Sequence, residues 1–358
     1  MAEGPKRVNA MRALADMDVT GTQQDRAIDG TNRRRRRPAV EPQPLIAYGA
    51  RLIDPLGIAM NLKRLLVSSA ATLSLALTAG CAQNIYSAPP AGAPVGPALW
   101  QVADKDTTIY LFGTVHALPK DKQWFDARLE RAWDASGEFV TEIDVSQVGA
   151  SGQALASAAT LAGDQTLRQL MTPDNRKQFE EALVSLGLPV EALDKVEPWY
   201  ASITLSLLPL LRTGYSPDSG VEQNLGGKAG EKKRGALETV QDQVNLFDQM
   251  PMDAQLAFLD QTVEALPKAS VSLDQMVAEW AKGDAAQLAR LMNSELADPL
   301  LRDRLLLDRN AKWAVWLDQR LDQPGTVFVA VGAGHLAGAG SVQEQLRKRG
   351  IKVRRVWQ

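Results

Sequence analysis

Two histidines occur in 358 residues, and both close the same local pattern. Gly113-Thr-Val-His116 follows the apolar run Thr107 to Phe112, and Gly332-Ala-Gly-His335 follows Thr326 to Val331. Glycine supplies only 27 of the 358 residues, so chance is a poor account of one standing three positions before each histidine. Glycine at a strand end lets the backbone turn sharply and approach a ligand closely. In an open α/β sheet, ligands bind at the carboxyl ends of the strands. If the two apolar runs are neighbouring strands, their imidazoles can converge on one point. Two neutral imidazoles and a carboxylate suit Mn, Fe, Co or Zn.

Four carboxylates are candidates to complete such a site. Glu142 stands near the end of the run Phe139-Val-Thr-Glu-Ile, where an unpaired charge is costly unless it is paired or ligating. Asp144 lies two residues on, on the same face of a strand. Glu238 sits in the apolar setting Ala-Leu-Glu-Thr, and Glu222 opens a polar loop in Ser-Gly-Val-Glu. An acidic residue at a strand end also serves as a helix cap or salt-bridge partner. Arg309, next to Asn310, could bind a substrate carboxylate or stabilise an oxyanion. Its alternative is a surface pair with Asp303 or Asp308. The chain shows no nucleophile elbow, phosphate loop or dinucleotide fingerprint. Its one cysteine, Cys81, excludes an internal disulfide and a Cys-based zinc site.

The elements that must position these residues read as α/β. Thr107–Phe112 and Glu138–Val145 are β-rich runs joined by a helical stretch over 124–136, which predicts a parallel βαβ unit. Thr172-Pro173 is an N-cap and first-turn pair for a helix that Gly187 ends. Further helices are predicted over 198–212, 252–266, 272–282 and 284–296, with a short strand at 235–239. Leu301, Leu305, Trp313, Trp316, Leu317 and Leu321 form a helical stripe read as core. Thr326–Val331 and Ile351–Trp357 are strands around a helix opened by a capping box, Ser341 with Glu344. The fold expected is two βαβ-like units forming a mainly parallel central sheet, with a large helical insert between them.

The first eighty residues differ in kind. Met60 starts a short basic region, Asn61-Leu-Lys-Arg64, followed by an apolar stretch from Leu65 to Ala79. Fifteen residues are short for a bilayer span and fit a signal peptide. Leu77-Thr-Ala-Gly-Cys81 resembles a lipobox, so Cys81 is a candidate lipidation site; ordinary cleavage near Ala79 is the alternative. Residues 1–59, with Arg33 to Arg37, read as a disordered extension or a start assigned too early. Residues 81–98, rich in Ala, Pro and Gly, read as a tether. Beyond residue 80 the chain carries 28 basic and 35 acidic residues. That balance excludes a basic field for nucleic acid. The expected location is the periplasmic face of the outer membrane, or the soluble periplasm.

Leu111-Phe-Gly-Thr-Val-His116, Glu142-Ile-Asp144 and Phe328-Val-Ala-Val-Gly-Ala-Gly-His335-Leu-Ala-Gly338 together resemble the TraB/GumN family. The likeness covers about 99–358. It extends to Ala236-Leu-Glu238-Thr with Gln243, and to Arg309-Asn310 with Trp313. Glu222 stands where the family segment usually has Asp. The wider superfamily is marked by two Gly-x-x-His motifs, a Glu and an Arg, here Gly113 with His116, Gly332 with His335, Glu142 and Arg309. It includes the Tiki proteases, which are Mn- or Co-dependent, as well as erythromycin esterases and a haem-binding protein. The resemblance therefore implies a metal-dependent hydrolase, foremost a peptidase acting on a peptide or envelope substrate. His116, His335 and Glu142 would hold the metal, with Glu142 as ligand or base and Arg309 stabilising negative charge. A metal-independent esterase-like hydrolase and a non-catalytic haem or envelope-binding protein are the alternatives.

Overall fold

The structure is a computed structural model that describes residues 96–144, 157–296 and 298–357, all within the unit Leu77–Gln358. The N-terminal extension, the signal-peptide segment, Cys81 and the tether up to residue 95 lie outside the described residues. Gly96, Pro97 and Ala98 are buried, so packing reaches into the last three residues of the expected tether.

The chain enters through β1 (Leu99–Ala103), β2 (Thr107–Thr114), β3 (Leu118–Pro119), α1 (Ala127–Ala135) and β4 (Glu138–Thr141). The insert contributes α2 (Leu167–Leu170), α3 (Pro173–Ser185), α4 (Pro198–Arg212), β5 (Tyr215–Ser216), α5 (Val221–Lys228) and β6 (Lys233–Ala236). It continues with α6 (Val240–Asp248), α7 (Met252–Ala265), α8 (Ala269–Lys282), α9 (Ala285–Glu295), α10 (Pro299–Arg302) and α11 (Asp308–Leu321). β7 (Gly325–Gly332), α12 (Val342–Lys348) and β8 (Val353–Arg355) complete it.

Six strands form one sheet in the order β6-β4-β7-β2-β1-β8, and β3 pairs separately with β5. β6, β4, β7 and β2 are mutually parallel; β1 is antiparallel to both β2 and β8. This is the mainly parallel α/β sheet that the sequence implies. The first βαβ unit is split, because β7 inserts between β2 and β4. Val327 to Val331 are buried on both faces, which suits an interior strand.

The two faces of the sheet carry separate cores. Trp100, Leu111, Val329, Trp313 and Leu317 pack on one, and Phe112, Leu129, Trp133, Phe139 and Phe328 on the other. The insert has its own core around Leu167, Phe179, Leu183, Leu205 and Leu259.

Local chemistry explains most helix ends. Asp126 accepts from the backbone N–H groups of Arg128 and Leu129, and Thr172 from that of Asn175. Gly187, at φ +65°, follows α3 in the left-handed conformation that glycine tolerates. Glu344 reaches back to the Gly340 N–H (2.8 Å), one residue before the Ser341 of the predicted capping box.

The short strand expected at 235–239 is β6, Lys233–Ala236, so Glu238 follows the strand instead of lying in it, and two further elements differ from expectation. The strand expected over 138–145 ends at Thr141, whose hydroxyl donates to the Ile143 carbonyl (2.6 Å) and so turns the chain. Glu142 and Asp144 are therefore not strand neighbours on one face; Val145 lies outside the described residues. The helical stripe expected from Leu301 to Leu321 is interrupted by a π-helical turn at Asp303–Leu307. A π turn adds a residue to the helical register and rotates the turns beyond it. Here it separates α10 from α11, and Arg304 within it donates to the carbonyls of Asn245 and Leu246.

Candidate active site

The carboxyl ends of the four adjacent parallel strands converge. β2 and β7 pair with Thr114 opposite Gly332, so the two Gly-x-x-His segments leave neighbouring strands at the same level. Gly113 and Gly332 leave room that a side chain would fill. A Cβ on Gly113 would stand 3.0 Å from the Ala333 Cα, and one on Gly332 would stand 3.0 Å from Glu142 Oε1. Beyond β4 and β6, the Glu238 N–H donates to the Glu142 carbonyl (2.8 Å), which sets these two glutamates side by side.

Arg309 joins them. Its Nη2 donates to Glu142 Oε2 (2.6 Å) and Glu238 Oε2 (2.8 Å), and its Nε to Glu238 Oε1 (2.9 Å). Nη1 donates to the Leu305 carbonyl (3.1 Å) and to His335 Nε2 (3.0 Å). All five N–H groups are thus engaged, and the guanidinium stacks 4.7 Å from the Trp313 ring. Trp313, expected as core, is buried and also donates its indole N–H to Glu238 Oε1 (3.0 Å). Gln243 donates to Glu142 Oε2 (3.0 Å) and the Gly332 N–H to Glu142 Oε1 (2.7 Å).

The two histidines have different environments. His335 is 5% exposed. Asn310 uses its amide N–H on the Gly340 carbonyl (3.0 Å), which turns its oxygen to His335 Nδ1 (2.6 Å). Nδ1 must then carry the proton, and Nε2 must accept from Arg309, which has no lone pair to offer. Burial pushes the His335 pKa down to about 3, helped by Arg309 and opposed by Glu142. His335 is therefore a neutral, oriented dipole at pH 7.

His116 is the exposed partner. Its side chain is 76% accessible, and Nδ1 lies 2.7 Å from Glu222 Oε1. Glu222 also accepts from the Thr114 hydroxyl (2.5 Å) and sits in the first turn of α5, where the helix dipole favours a negative charge. The Glu222 charge raises the His116 pKa, to about 9; solvent around so exposed a ring screens part of this attraction. Burial raises the Glu222 pKa, but the His116 attraction and its hydrogen bonds outweigh it, for a net lowering.

Burial likewise pushes Glu142 up, and the charges of His335, Arg309 and His116 with the Gly332 N–H bring it down to about 2. A neutral His335 has no charge to contribute, so Arg309 is the principal cation at pH 7. Glu142 is a fixed anion, too weak a base to take a proton from water unaided.

His116, Glu142, Glu222 and Gln243 line one cleft of about 280 Å³ with Thr141, Ile143, Pro217 and Gln223. A second, of about 280 Å³, is lined by Asp144, Glu238 and Asp242 among others. Asp144 and Glu238 thus line a different cleft from His116 and Glu142, and Glu238 lines a further one of about 390 Å³ with Arg309 and Trp313. The roles of Thr114, Asn310 and Trp313 are not legible in the sequence, although Thr114 lies inside the first Gly-x-x-His motif and Asn310 and Trp313 stand beside Arg309 in the family likeness.

The donor set has the chemistry for a divalent cation, but this arrangement does not fit one. A guanidinium holds Glu142 Oε2, Glu238 and the His335 Nε2 lone pair, the atoms that would ligate. Among the described residues no group of three or more His, Cys, Asp or Glu is arranged to hold a metal ion.

Residues 98–355 match the profile of the TraB/PrgY/gumN family. The chain belongs to this family. An uncharacterized protein of Treponema pallidum (strain Nichols) is 22% identical to this TraB/PrgY/gumN member over 273 residues, covering 70% of this chain and 80% of the relative. The uncharacterized protein YbaP of Escherichia coli (strain K12) is 24% identical over 245 residues, 66% of this chain and 87% of the relative, and YbaP of Shigella flexneri matches equally. No solved structure matches significantly.

Proposed function

We propose that the chain hydrolyses acyl bonds, ester or amide, with His116 as the group that moves the proton. The observation that carries this reading is the Glu222–His116 pair at the edge of a cleft that also holds ionised Glu142. The carboxylate fixes the ring and stabilises the imidazolium, while Nε2 has no partner among the described residues. The deprotonated fraction of His116, which grows as pH rises toward its raised folded value, takes a proton from a water in the cleft, and the water oxygen attacks the substrate carbonyl carbon. The imidazolium returns that proton to the leaving oxygen or nitrogen as the acyl bond breaks. Glu142 Oε1 carries one hydrogen bond, from Gly332, and has a lone pair left to orient the water. Arg309 and His335 act by positioning, since the five guanidinium N–H groups and both ring nitrogens are engaged.

The metal-dependent peptidase implied by the family likeness is the rival reading. What favours it is the carboxylate support of His116, the way protein imidazoles are commonly oriented toward metals. We place either activity in the cell envelope with Cys81 as a lipid anchor, on the strength of the basic, apolar and small-residue order of residues 60–81.

One set of assays tests all of this. The purified chain is offered aryl esters and a peptide library before and after exhaustive chelation. Acid–base hydrolysis survives chelation and falls about 10²–10⁴-fold in His116→Ala. Activity lost to chelation and restored by Mn²⁺ favours the rival, and equal activity in His116→Ala and wild type sinks both. In the expressing cells the chain should pellet with membranes, and Cys81→Ser should release it.

A further inference from the structure

We infer that Arg309 is a resident cation standing where the carboxylates and imidazole would otherwise hold a metal, and that removing it turns this cluster into a divalent-metal site. The inference concerns binding alone and does not depend on what the cleft hydrolyses.

The geometry points there from three sides. Glu142 Oε2 and Glu238 Oε2 bond the same guanidinium nitrogen at 2.6 and 2.8 Å. They are thus already drawn to one point of positive charge. His335 presents an unprotonated Nε2 to the same guanidinium at 3.0 Å, and the Asn310 bond to Nδ1 keeps that tautomer without help from Arg309. Glu142 Oε1 lies 3.8 Å from His335 Nε2. Two donors each about 2.1 Å from one ion stand roughly 3–4 Å apart, so this pair has the spacing of neighbouring ligands. Remove the guanidinium and two carboxylates and one imidazole lone pair face a void of its size.

The second shell is also in place. Gly332 N–H and Gln243 hold Glu142, the Trp313 indole holds Glu238, and Asn310 holds His335. Such outer contacts orient ligating groups in metal sites. They involve no atom of Arg309 and remain after its removal. Charge gives the same answer. Two largely covered carboxylates, 12% and 10% exposed, face one guanidinium, so its loss leaves two uncompensated negative charges that a divalent ion would neutralise.

The test compares wild type, Arg309→Ala and Arg309→Ala/His335→Ala, each titrated with Zn²⁺ and with Mn²⁺ alone. Calorimetry and the melting temperature are the readouts. Arg309→Ala should bind one ion at least tenfold more tightly than wild type, with a rise in Tm of about 5–10 °C at roughly 100 Kd of free ion. The double variant should lose that gain, while wild-type Tm should not move. Equal binding by wild type and Arg309→Ala overturns the inference, as does a gain that persists in the double variant. If Arg309→Ala aggregates, Arg309→Ser, which likewise leaves the guanidinium volume open, must show the zinc-dependent rise. If both aggregate, refolding with Zn²⁺ must recover soluble protein that refolding in buffer does not, and failure to recover any overturns the proposal. Neither readout uses turnover, so the hydrolase reading and this one fail separately.

Discussion

His116 and His335 close the same four-residue motif yet are held as different acids. Burial and the Arg309–His335–Asn310 chain keep His335 neutral, with a pKa lowered to about 3. Glu222 raises that of His116, to about 9. Their linkage to stability has opposite sign. The stabilisation from protonated His116 is full below its ordinary 6.5 and is lost as pH rises through its folded value. That from neutral His335 is full above 6.5 and is lost as pH falls toward 3. Because the chain has only these two histidines, imidazole NMR gives two resolvable signals. One should titrate above 6.5, and Glu222→Gln should bring it back toward 6.5. The other should show no inflection between pH 5 and 9. A second inflection in that window, assigned to the ring lost in His335→Ala, refutes the locked tautomer. Motif spacing alone marks both residues as equal ligands. The difference lies in partners far apart in sequence, Glu222 for one and Arg309 with Asn310 for the other, which no local pattern displays.

Among the elements, strand runs were readable because buried parallel strands are continuous apolar sequences. Their adjacency was not: β7 lies between β2 and β4 through contacts separated by some two hundred residues. The π turn before Arg309 was also hidden, since its sequence, Asp303-Arg-Leu-Leu-Leu, reads as ordinary helix. The element that presents Glu222 allows a direct test. α5 starts against the His116 loop, with the Val221 N–H donating to the Val115 carbonyl (3.0 Å). A Cβ on Gly220 would come within 2.1 Å of the His116 carbonyl oxygen, whereas one on Gly227, in the same helix, meets nothing within 4 Å. Gly220→Ala should therefore push α5 away and cost about 1–3 kcal/mol. It should also move the His116 titration toward its ordinary value as Glu222 withdraws. Gly227→Ala should add about 0.5–1 kcal/mol by helix propensity and leave that titration unchanged. Urea denaturation and the same NMR experiment read both effects. Equal stability of the two variants would show that the close approach at Gly220 is not a constraint.

At the scale of the molecule, the site is assembled on one side of a division in the hydrophobic core. The sheet cores support β2, β4, β7 and α11, and so His116, Glu142, His335 and Arg309. The insert core, built on α2, α3, α4 and α7, is a separate cluster that contains none of the site residues. α4 also packs against α8, whose Val277 and Trp280 belong to a sheet core, so the two regions are in contact without sharing one interior. Separate cores give separate cooperative units when one is weakened. Phe179 is fully buried in the insert core and Phe328 in the sheet, where it contacts Phe112 and Trp133. Truncating either to Ala should cost about 3–5 kcal/mol. The consequences should differ. Phe328→Ala weakens the layer that everything rests on and should lower a single transition. Phe179→Ala should let α2, α3, α4 and α7 open first, with exchange of their amides rising while β2 and β7 stay protected. Hydrogen exchange read by mass spectrometry distinguishes the outcomes, and uniform loss of protection in Phe179→Ala would mean that the two cores unfold as one. If the insert does open alone, the Arg309–Glu142–His335 cluster should stay intact through that opening, because every side chain in it is carried by the sheet, by the segments flanking β6, or by α11.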